Sequence, residues 1–258
     1  GFHIGELGMT NRTFSWARRR LCLTALGLLM ATAPASFLIA PAIAQIDSRE
    51  FTEFADWCEN REQLTPEAQH TVEMMLAAAY TEDCDRAQAS LAGQNELLLK
   101  GKQIEDVSPL ASLVNTNVRE IWLHDNQITD ITPLATLTDL QELWLSGNQI
   151  ADIRPLAKLT NLTFLLLRDN QITDIRPLAS LTELQILTVN GNQLEDIRPL
   201  ANLANLQQLG LQDNLITDVS PLRSLTNLQQ LALYNNPLRD RTCPVQPASV
   251  CVFDDPGY

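Results

Sequence analysis

The fold is decided by residues 140–160, which read LQELWLSGNQIADIRPLAKLT. Two near copies follow, LTFLLLRDNQITDIRPLASLT at 162–182 and LQILTVNGNQLEDIRPLANLA at 184–204. A fixed period of this length predicts a solenoid, in which each repeat forms one coil and stacks on the next. The period is marked by one asparagine every 22 residues, at Asn126, Asn148, Asn170, Asn192, Asn214 and Asn236.

Each repeat contains two apolar residues separated by one variable residue, as Leu143 and Leu145 flank Trp144. This alternation predicts a short strand whose leucines point into the core and whose middle residue points outward. Strands of successive coils should pair in parallel. Because an asparagine side chain carries two donor hydrogens and an acceptor, the six recurring asparagines are predicted to form a structural ladder that satisfies the backbone of neighbouring coils.

The pattern resembles the leucine-rich-repeat family, in the 22-residue class of internalin-like bacterial proteins and of phosphatase-binding regulators of eukaryotes. The resemblance covers about residues 94–238, or about seven coils. The chain also resembles secreted cyanobacterial leucine-rich-repeat proteins with a helical N-terminal cap. The resemblance implies an α/β solenoid, a curved right-handed superhelix with a parallel sheet on its concave face. Short 3-10 or irregular turns are implied on the convex face.

Both ends of the chain differ from the repeats. Residues 1–44 are predicted to be a signal peptide, because three arginines at 18–20 precede an apolar run and residues 42–44 form a small-x-small cleavage pattern. Residues 1–8 are interpreted as an upstream extension. An uncleaved anchor is the alternative, and membrane association is expected only in that case. The predicted location is therefore secreted, periplasmic or at the cell surface.

Four cysteines remain after the signal segment. Residues 45–93 are predicted to form a helical N-terminal cap, and residues 239–258 a C-terminal cap. Seven coils would separate the two caps by about 30 Å, whereas the Cα atoms of a disulfide lie within about 7 Å. Each cap should therefore contain its own disulfide, Cys58–Cys84 in the first and Cys243–Cys251 in the second.

Charge and motifs exclude several classes of function. The net charge is −13, and loss of four arginines and one glutamate with residues 1–44 takes it to −16. Such a surface repels phosphate, so no nucleic-acid partner is expected. No GxSxG, HExxH or P-loop pattern occurs, and only His70 and His124 follow the signal segment. We therefore predict a protein that is not an enzyme and has no cofactor.

Aspartates recur on the opposite edge of the coils. One precedes each x-Pro-Leu, where it is predicted to cap a helical turn that begins with proline; a calcium-binding array is the alternative. Arginines two residues later could offset repulsion between stacked aspartates. At another position Asp125, Gly147 and Asp169 alternate, which is interpreted as a left-handed turn and not as a metal site. The capping aspartates are Asp106, Asp130, Asp152, Asp174, Asp196 and Asp218, and the arginines are Arg154, Arg176 and Arg198.

The outward-facing residues of the strands are the part that stacking does not dictate. Large apolar residues lie in the N-terminal half of this face, with acidic residues on one side, and tryptophan is enriched at interface hot spots. We predict that an unidentified protein binds there; a cell-wall glycan is the alternative, and contact with a second copy of the chain also remains open. The predicted contact residues are Trp122, Trp144, Phe164, Leu166, Glu120, Glu142, His124 and Arg168.

Overall fold

The computed structural model describes residues 51–254, so the predicted signal segment at 1–44 lies outside the described residues. Residues 51–254 begin with three α-helices, α1 (Phe54–Glu59), α2 (Pro66–Ala79) and α3 (Cys84–Gly93). Eight short strands follow within the same range. They are β1 (Glu96–Leu98), β2 (Glu120–Trp122), β3 (Glu142–Trp144), β4 (Phe164–Leu166), β5 (Ile186–Thr188), β6 (Gln208–Gly210), β7 (Gln230–Ala232) and β8 (Cys251–Val252).

The eight strands form one open parallel sheet in chain order. The register repeats without slippage, so that Trp122 pairs with Trp144 and Glu120 with Glu142. The inner residue of every strand from β1 to β7 is a buried leucine or isoleucine, and the apolar residue just after each strand is buried as well. Stacking therefore builds one continuous core from coils that are individually too small to bury their apolar residues. The predicted leucine-rich-repeat solenoid is confirmed.

A 3-10 turn packs on the far side of each full coil, as at Arg154–Lys158. The aspartate two residues before each turn caps it: Asp152 Oδ1 accepts a hydrogen bond from the Arg154 backbone N–H at 3.0 Å. Proline occupies the second position of these turns rather than the first. Its missing N–H costs nothing there, because the first turn of a helix has no internal acceptor for it.

The arginines of these turns pair within their own coil. Arg154 Nε and Nη2 both contact the Asp152 carboxylate, and Asp174–Arg176 and Asp196–Arg198 repeat the arrangement at 2.6 and 2.7 Å. Hydrogen bonds from the Arg198 side chain, and then from its backbone N–H, lower the pKa of Asp196 to about 2. These pairs are exposed, so each contributes little to stability. Their effect is to neutralise the capping aspartate in these three coils.

The helical cap replaces the neighbour that the first coil lacks. Lys102 stands where the other coils have the ladder asparagine, and α2 lies against this coil instead. Thr71 Oγ1 donates a hydrogen bond to the Asp106 carbonyl at 2.6 Å, and His70 Nε2 lies 2.6 Å from the Lys102 carbonyl. Thr65 begins α2, as its Oγ1 accepts from the Ala68 N–H at 3.2 Å. The cap thus covers apolar and polar groups of the terminal coil alike.

Two disulfides hold the caps. Cys58 and Cys84 join α1 to α3 with Cα atoms 5.6 Å apart, and Cys243 and Cys251 are bridged at 5.8 Å. The second bridge holds β8 against β7, the last strand of the repeats, where Leu231 pairs with Cys251. Within residues 51–254, no helix has both the length and the apolarity needed to span a bilayer.

The alternation of aspartate and glycine after the strands has a packing cause. Asp125, Gly147, Asp169 and Gly191 all have φ between +53° and +65°, as the turn interpretation requires. In addition, a Cβ on Gly147 would lie 2.8 Å from Asp125 Oδ1, and one on Gly191 would lie 2.1 Å from Asp169 Oδ1. The Asp125 and Asp169 side chains therefore lie over the glycine of the next coil. Asp213 is followed instead by Asn235, whose Nδ2 donates a hydrogen bond to Asp213 Oδ1 at 2.8 Å.

We expect Gly191→Ala to destabilise the protein by about 2 kcal/mol, because a Cβ there meets both left-handed backbone strain and the Asp169 carboxylate. The matched control is Gly101→Ala, which has φ +62° but no atom closer than 4.0 Å to the new Cβ. This control should lose only about 1 kcal/mol of stability, from the strain of placing alanine in left-handed backbone. Thermal unfolding of both variants measures the difference. Equal losses would contradict the packing explanation.

Candidate binding face

The outward side chains of the sheet form three parallel columns, because successive strands share one register. The middle column contains Trp122, Trp144 and Leu166 on β2 to β4. We call Trp122, Trp144 and Phe164 the tryptophan patch, and Glu96, Glu120 and Glu142 the glutamate row. The row lies two residues before the middle column on β1 to β3, and Phe164 continues that position on β4.

The tryptophan patch is a stack of rings across three strands. The Trp122 and Trp144 rings are nearly parallel, with centroids 4.2 Å apart and an interplanar angle of 7°. Phe164 stacks on Trp144 at 5.2 Å. Both indoles are consequently half-buried rather than fully exposed, which sequence reasoning did not foresee. Stacked aromatic pairs of this kind contribute about 0.5–1.5 kcal/mol beyond their buried area.

His124 follows Trp122 by two residues, just beyond the end of β2, and its ring lies beside the patch. Its ring centroid lies 5.9 Å from that of Trp122 and 5.5 Å from that of Trp144. Burial lowers the pKa of His124 below its ordinary value, repulsion from Lys100 lowers it further, and Asp125 opposes the shift. The imidazole is therefore neutral at neutral pH. The patch presents aromatic surface without positive charge.

Several polar atoms in this cluster lack a partner. Among residues 51–254, five buried side-chain nitrogen or oxygen atoms make no hydrogen bond, and three of them are Trp122 Nε1, Trp144 Nε1 and His124 Nδ1. An unpaired buried polar group costs about 1–3 kcal/mol. These three atoms lie together in and beside the patch, whereas the other two, Trp57 Nε1 and Gln212 Oε1, lie elsewhere.

The glutamate row concentrates negative charge beside the patch. Among the residues that the structure describes, no salt bridge involves Glu96, Glu120 or Glu142. Burial raises the pKa of Glu120 above its ordinary value, and repulsion from Glu142 and Glu96 raises it further. A hydrogen bond from Asn95 Nδ2 at 3.1 Å partly compensates. The three carboxylates therefore repel one another with no cation between them.

Cations on the opposite side of the face are already paired. Lys100 Nζ lies 3.6 Å from Asp125 Oδ2, and Arg168 Nε lies 2.7 Å from Asp169 Oδ2. Arg168, a predicted contact residue, is thereby drawn to the turn and is not stacked in the patch. The structure brings Trp122, Trp144 and Phe164 together with His124, while Leu166 continues the middle column beside Trp144.

A feature that the sequence did not reveal extends the face toward the cap. Tyr80, at the end of α2, is 92% exposed, and Leu98, in register with Trp122, is 50% exposed. These two residues and Glu96 line a groove of about 490 Å³. Tyr80 adopts left-handed backbone with φ 58°. No sequence pattern indicated this, since its position depends on how the helix packs on the first coil.

The predicted ladder asparagines lie on the edge of the sheet and not on its outward face. Asn170 Nδ2 donates to the Leu145 carbonyl at 3.0 Å and to the Leu167 carbonyl at 3.1 Å, while its Oδ1 accepts from the Ile150 N–H at 3.0 Å. Asn126, Asn148, Asn192, Asn214 and Asn236 repeat this pattern. Their amides are fully engaged, so the ladder is structural and leaves nothing for a ligand.

The described residues offer no metal centre, since no group of three histidine, cysteine, aspartate or glutamate side chains among residues 51–254 could hold an ion. The capping aspartates bind their own turns, the turn aspartates Asp125 and Asp169 cover glycines, and Asp213 accepts a hydrogen bond from Asn235. In the C-terminal half of the face Gly210 and Ala232 leave the sheet nearly bare. A Cβ on Gly210 would meet Gln212 Oε1 and Thr188 at 3.3 Å, so Gln212 covers this glycine.

A parallel sheet built from 22-residue coils, with an asparagine ladder, defines a leucine-rich-repeat protein. The family model for leucine-rich repeats matches residues 116–158, 160–202 and 204–240. The chain is 36% identical to internalin C2 of Listeria monocytogenes, covering 69% of this chain and 88% of that one, with a TM-score of 0.54. The chain therefore belongs to the leucine-rich-repeat family, whose members are generally protein-interaction scaffolds without catalytic activity.

Two further solved structures are similar. Internalin F of Listeria monocytogenes is 28% identical, covers 70% of this chain and 73% of its own, and has a TM-score of 0.45. A leucine-rich-repeat protein of Leptospira interrogans is 23% identical, covers 66% of this chain and 50% of its own, and has a TM-score of 0.51. At 23% identity, the likeness to the Leptospira protein shows a similar fold and nothing more. Comparison with curated protein sequences finds no match.

Proposed function

We propose that the protein is an exported binding scaffold that captures a protein partner on the outward, concave face of its sheet. The observation that carries the proposal is the tryptophan patch, a ring stack that stands on strand positions where the core imposes no residue. Tryptophan is enriched among residues that dominate binding energy. Among the described residues, the glutamate row beside the rings has no paired cation, and this repulsion is a cost that a partner can offset.

The stack favours a protein partner over a sugar. A pyranose ring binds tryptophan by lying on the face of the indole. Trp144 has Trp122 on one neighbouring strand and Phe164 on the other, each stacked on it, so its faces are already covered by aromatic rings. A protein side chain can instead pack against the ring edges and against Leu166 and Leu98 beside them.

Export is supported by the caps. Both disulfides bridge residues within small caps, and disulfides persist in oxidising compartments and are rare in the reducing cytosol. The predicted signal segment at 1–44 agrees with this. A secreted, periplasmic or cell-surface location places the face where a protein from outside the cytosol can reach it.

The proposal is tested with Trp122→Ala and Trp144→Ala combined. Residues 45–258, immobilised, are exposed to extracts and culture fluid of the native organism, and captured proteins are identified by mass spectrometry. We expect the double variant to lose capture by at least about 30-fold, which corresponds to one interface hot spot of about 2 kcal/mol. Circular dichroism should remain that of the wild type, because the core leucines beneath the rings are unchanged.

The matched control is Thr188→Ala combined with Gln230→Ala, which alters the same face in its small-residue half. This variant should capture the partner as the wild type does. Undiminished capture by the tryptophan variant would contradict the proposal. Quenching of tryptophan fluorescence by soluble cell-wall sugars, with no protein captured, would favour the glycan alternative instead.

A further inference from the structure

The glutamate row has a property that the solenoid does not explain. Residues in register on adjacent strands lie about 4.8 Å apart, and like charges placed directly opposite one another are destabilising. In three other coils the chain avoids this cost, because Asp152, Asp174 and Asp196 each have an arginine two residues away. Arg119 is the cation next to the row in sequence, but it is turned to Asp139 at 3.6 Å and to the Thr116 and Val118 carbonyls.

The groove beside the helical cap contains Glu96, the first residue of the glutamate row. Glu96 lines it together with the exposed ring of Tyr80 and the exposed side chain of Leu98. An aromatic ring and an aliphatic wall can cover the methylene stem of a lysine or arginine, while the carboxylate meets its charged end. Tyr80 also offers a ring face for a cation. The groove therefore fits a long basic side chain better than an acidic or a short one.

We infer that the partner presents a basic segment to the binding face; this inference rests on the proposed function. One lysine or arginine occupies the groove formed by Tyr80, Leu98 and Glu96. Others lie along Glu120 and Glu142, and apolar residues of the same segment cover the tryptophan patch. Charge complementarity favours one orientation, because the carboxylates that are unpaired among the described residues lie on one side of the face, whereas Asp125 and Asp169 on the other side are paired with Lys100 and Arg168.

The dimensions agree with an extended peptide. Three in-register glutamates span about 10 Å, and alternate residues of an extended chain lie about 6.8 Å apart on one side. The flexible stems of lysine absorb the difference in spacing. Successive residues of an extended chain point to opposite sides. When the lysines point toward the glutamate row, the residues between them therefore point toward the stacked rings.

The probes are three fluorescent heptapeptides in which leucine alternates with lysine, glutamine or glutamate. Their binding to residues 45–258 is measured by fluorescence polarisation at low salt. We expect the lysine peptide to bind at least about ten-fold more tightly than the glutamine peptide, as three partly screened ion pairs provide. The glutamate peptide should not bind. Added salt should remove most of the preference.

Two triple variants distinguish binding at the glutamate row from attraction by the overall net charge of the protein. Glu96→Gln, Glu120→Gln and Glu142→Gln together should weaken the lysine peptide by about ten-fold. Glu105→Gln, Glu183→Gln and Glu195→Gln remove the same charge from exposed positions outside the row and should change binding less than about two-fold. Tyr80→Asn, which keeps a residue tolerant of left-handed backbone, should weaken it by about three-fold without loss of stability.

Each alternative outcome has a distinct meaning. Equal effects of the two triple variants would show that only net charge attracts the peptide and would overturn the inference. If the glutamine peptide binds as tightly as the lysine peptide, and both need Trp122 and Trp144, the basic partner is wrong while the binding face stands. If no peptide depends on those tryptophans, the proposed face is wrong and the inference fails with it.

Discussion

Asn170→Ala is expected to lower the free energy of unfolding by about 3 kcal/mol, although the side chain contacts no other side chain of the ladder. The substitution leaves the buried Ile150 N–H without its acceptor. It also removes donors to the Leu145 and Leu167 carbonyls, each of which keeps one other asparagine donor. Most of the loss therefore comes from the single orphaned amide. Urea unfolding followed by circular dichroism measures it.

Asn161→Ala is the matched control. Asn161 also donates to the backbone of the preceding coil, to the Thr138 carbonyl at 2.9 Å, but it does so in an exposed position where water can replace it. Its loss should cost less than about 1 kcal/mol. Similar destabilisation by the two substitutions would contradict the view that burial of the ladder gives it its strength.

Removal of the first disulfide, by Cys58→Ser with Cys84→Ser, is expected to cost about 3.5 kcal/mol by the loop-closure relation for its 26-residue separation. Without the bridge, α1 is no longer fastened to α3, and the cap protects the first coil less well. Hydrogen exchange should therefore rise first at the Ile104 and Leu99 amides. Differential scanning calorimetry gives the overall loss.

The corresponding control is Cys243→Ser with Cys251→Ser, whose residues are separated by only 8 positions. The same relation gives about 2.5 kcal/mol, so the second loss should be smaller than the first by about 1 kcal/mol. A larger loss at the C-terminal end would reverse the expected order of the two disulfides. It would mean that β8 contributes more through strand pairing than through chain entropy.

The repetition of the chain explains why so much of the fold follows from the sequence. The coils that follow the first one repeat the same contacts, so one frame with Leu143, Leu145 and Asn148 fixes their strand, core and ladder positions. The cap was predictable to a similar degree, since Thr65 and Pro66 mark the start of α2. Local signals and the global arrangement agree at these positions.

The face was less predictable because its geometry depends on side-chain rotamers and not on periodicity. The sequence placed Trp122 and Trp144 in adjacent coils, but not their stacking at 4.2 Å or the burial of their N–H groups. It also gave no sign that Tyr80 and Glu96 line one groove, because this groove is formed where the cap meets the sheet. Tertiary packing alone sets both features.

Because the register is the same between successive coils, whole coils can be gained or lost during evolution. An interior coil meets only the coil before it and the coil after it, and both neighbours offer the same leucines and the same amide donors. Duplication or deletion of one whole 22-residue unit therefore leaves every junction chemically unchanged. The outward face of the sheet can be lengthened or shortened in steps of one strand while the specialised ends are inherited intact.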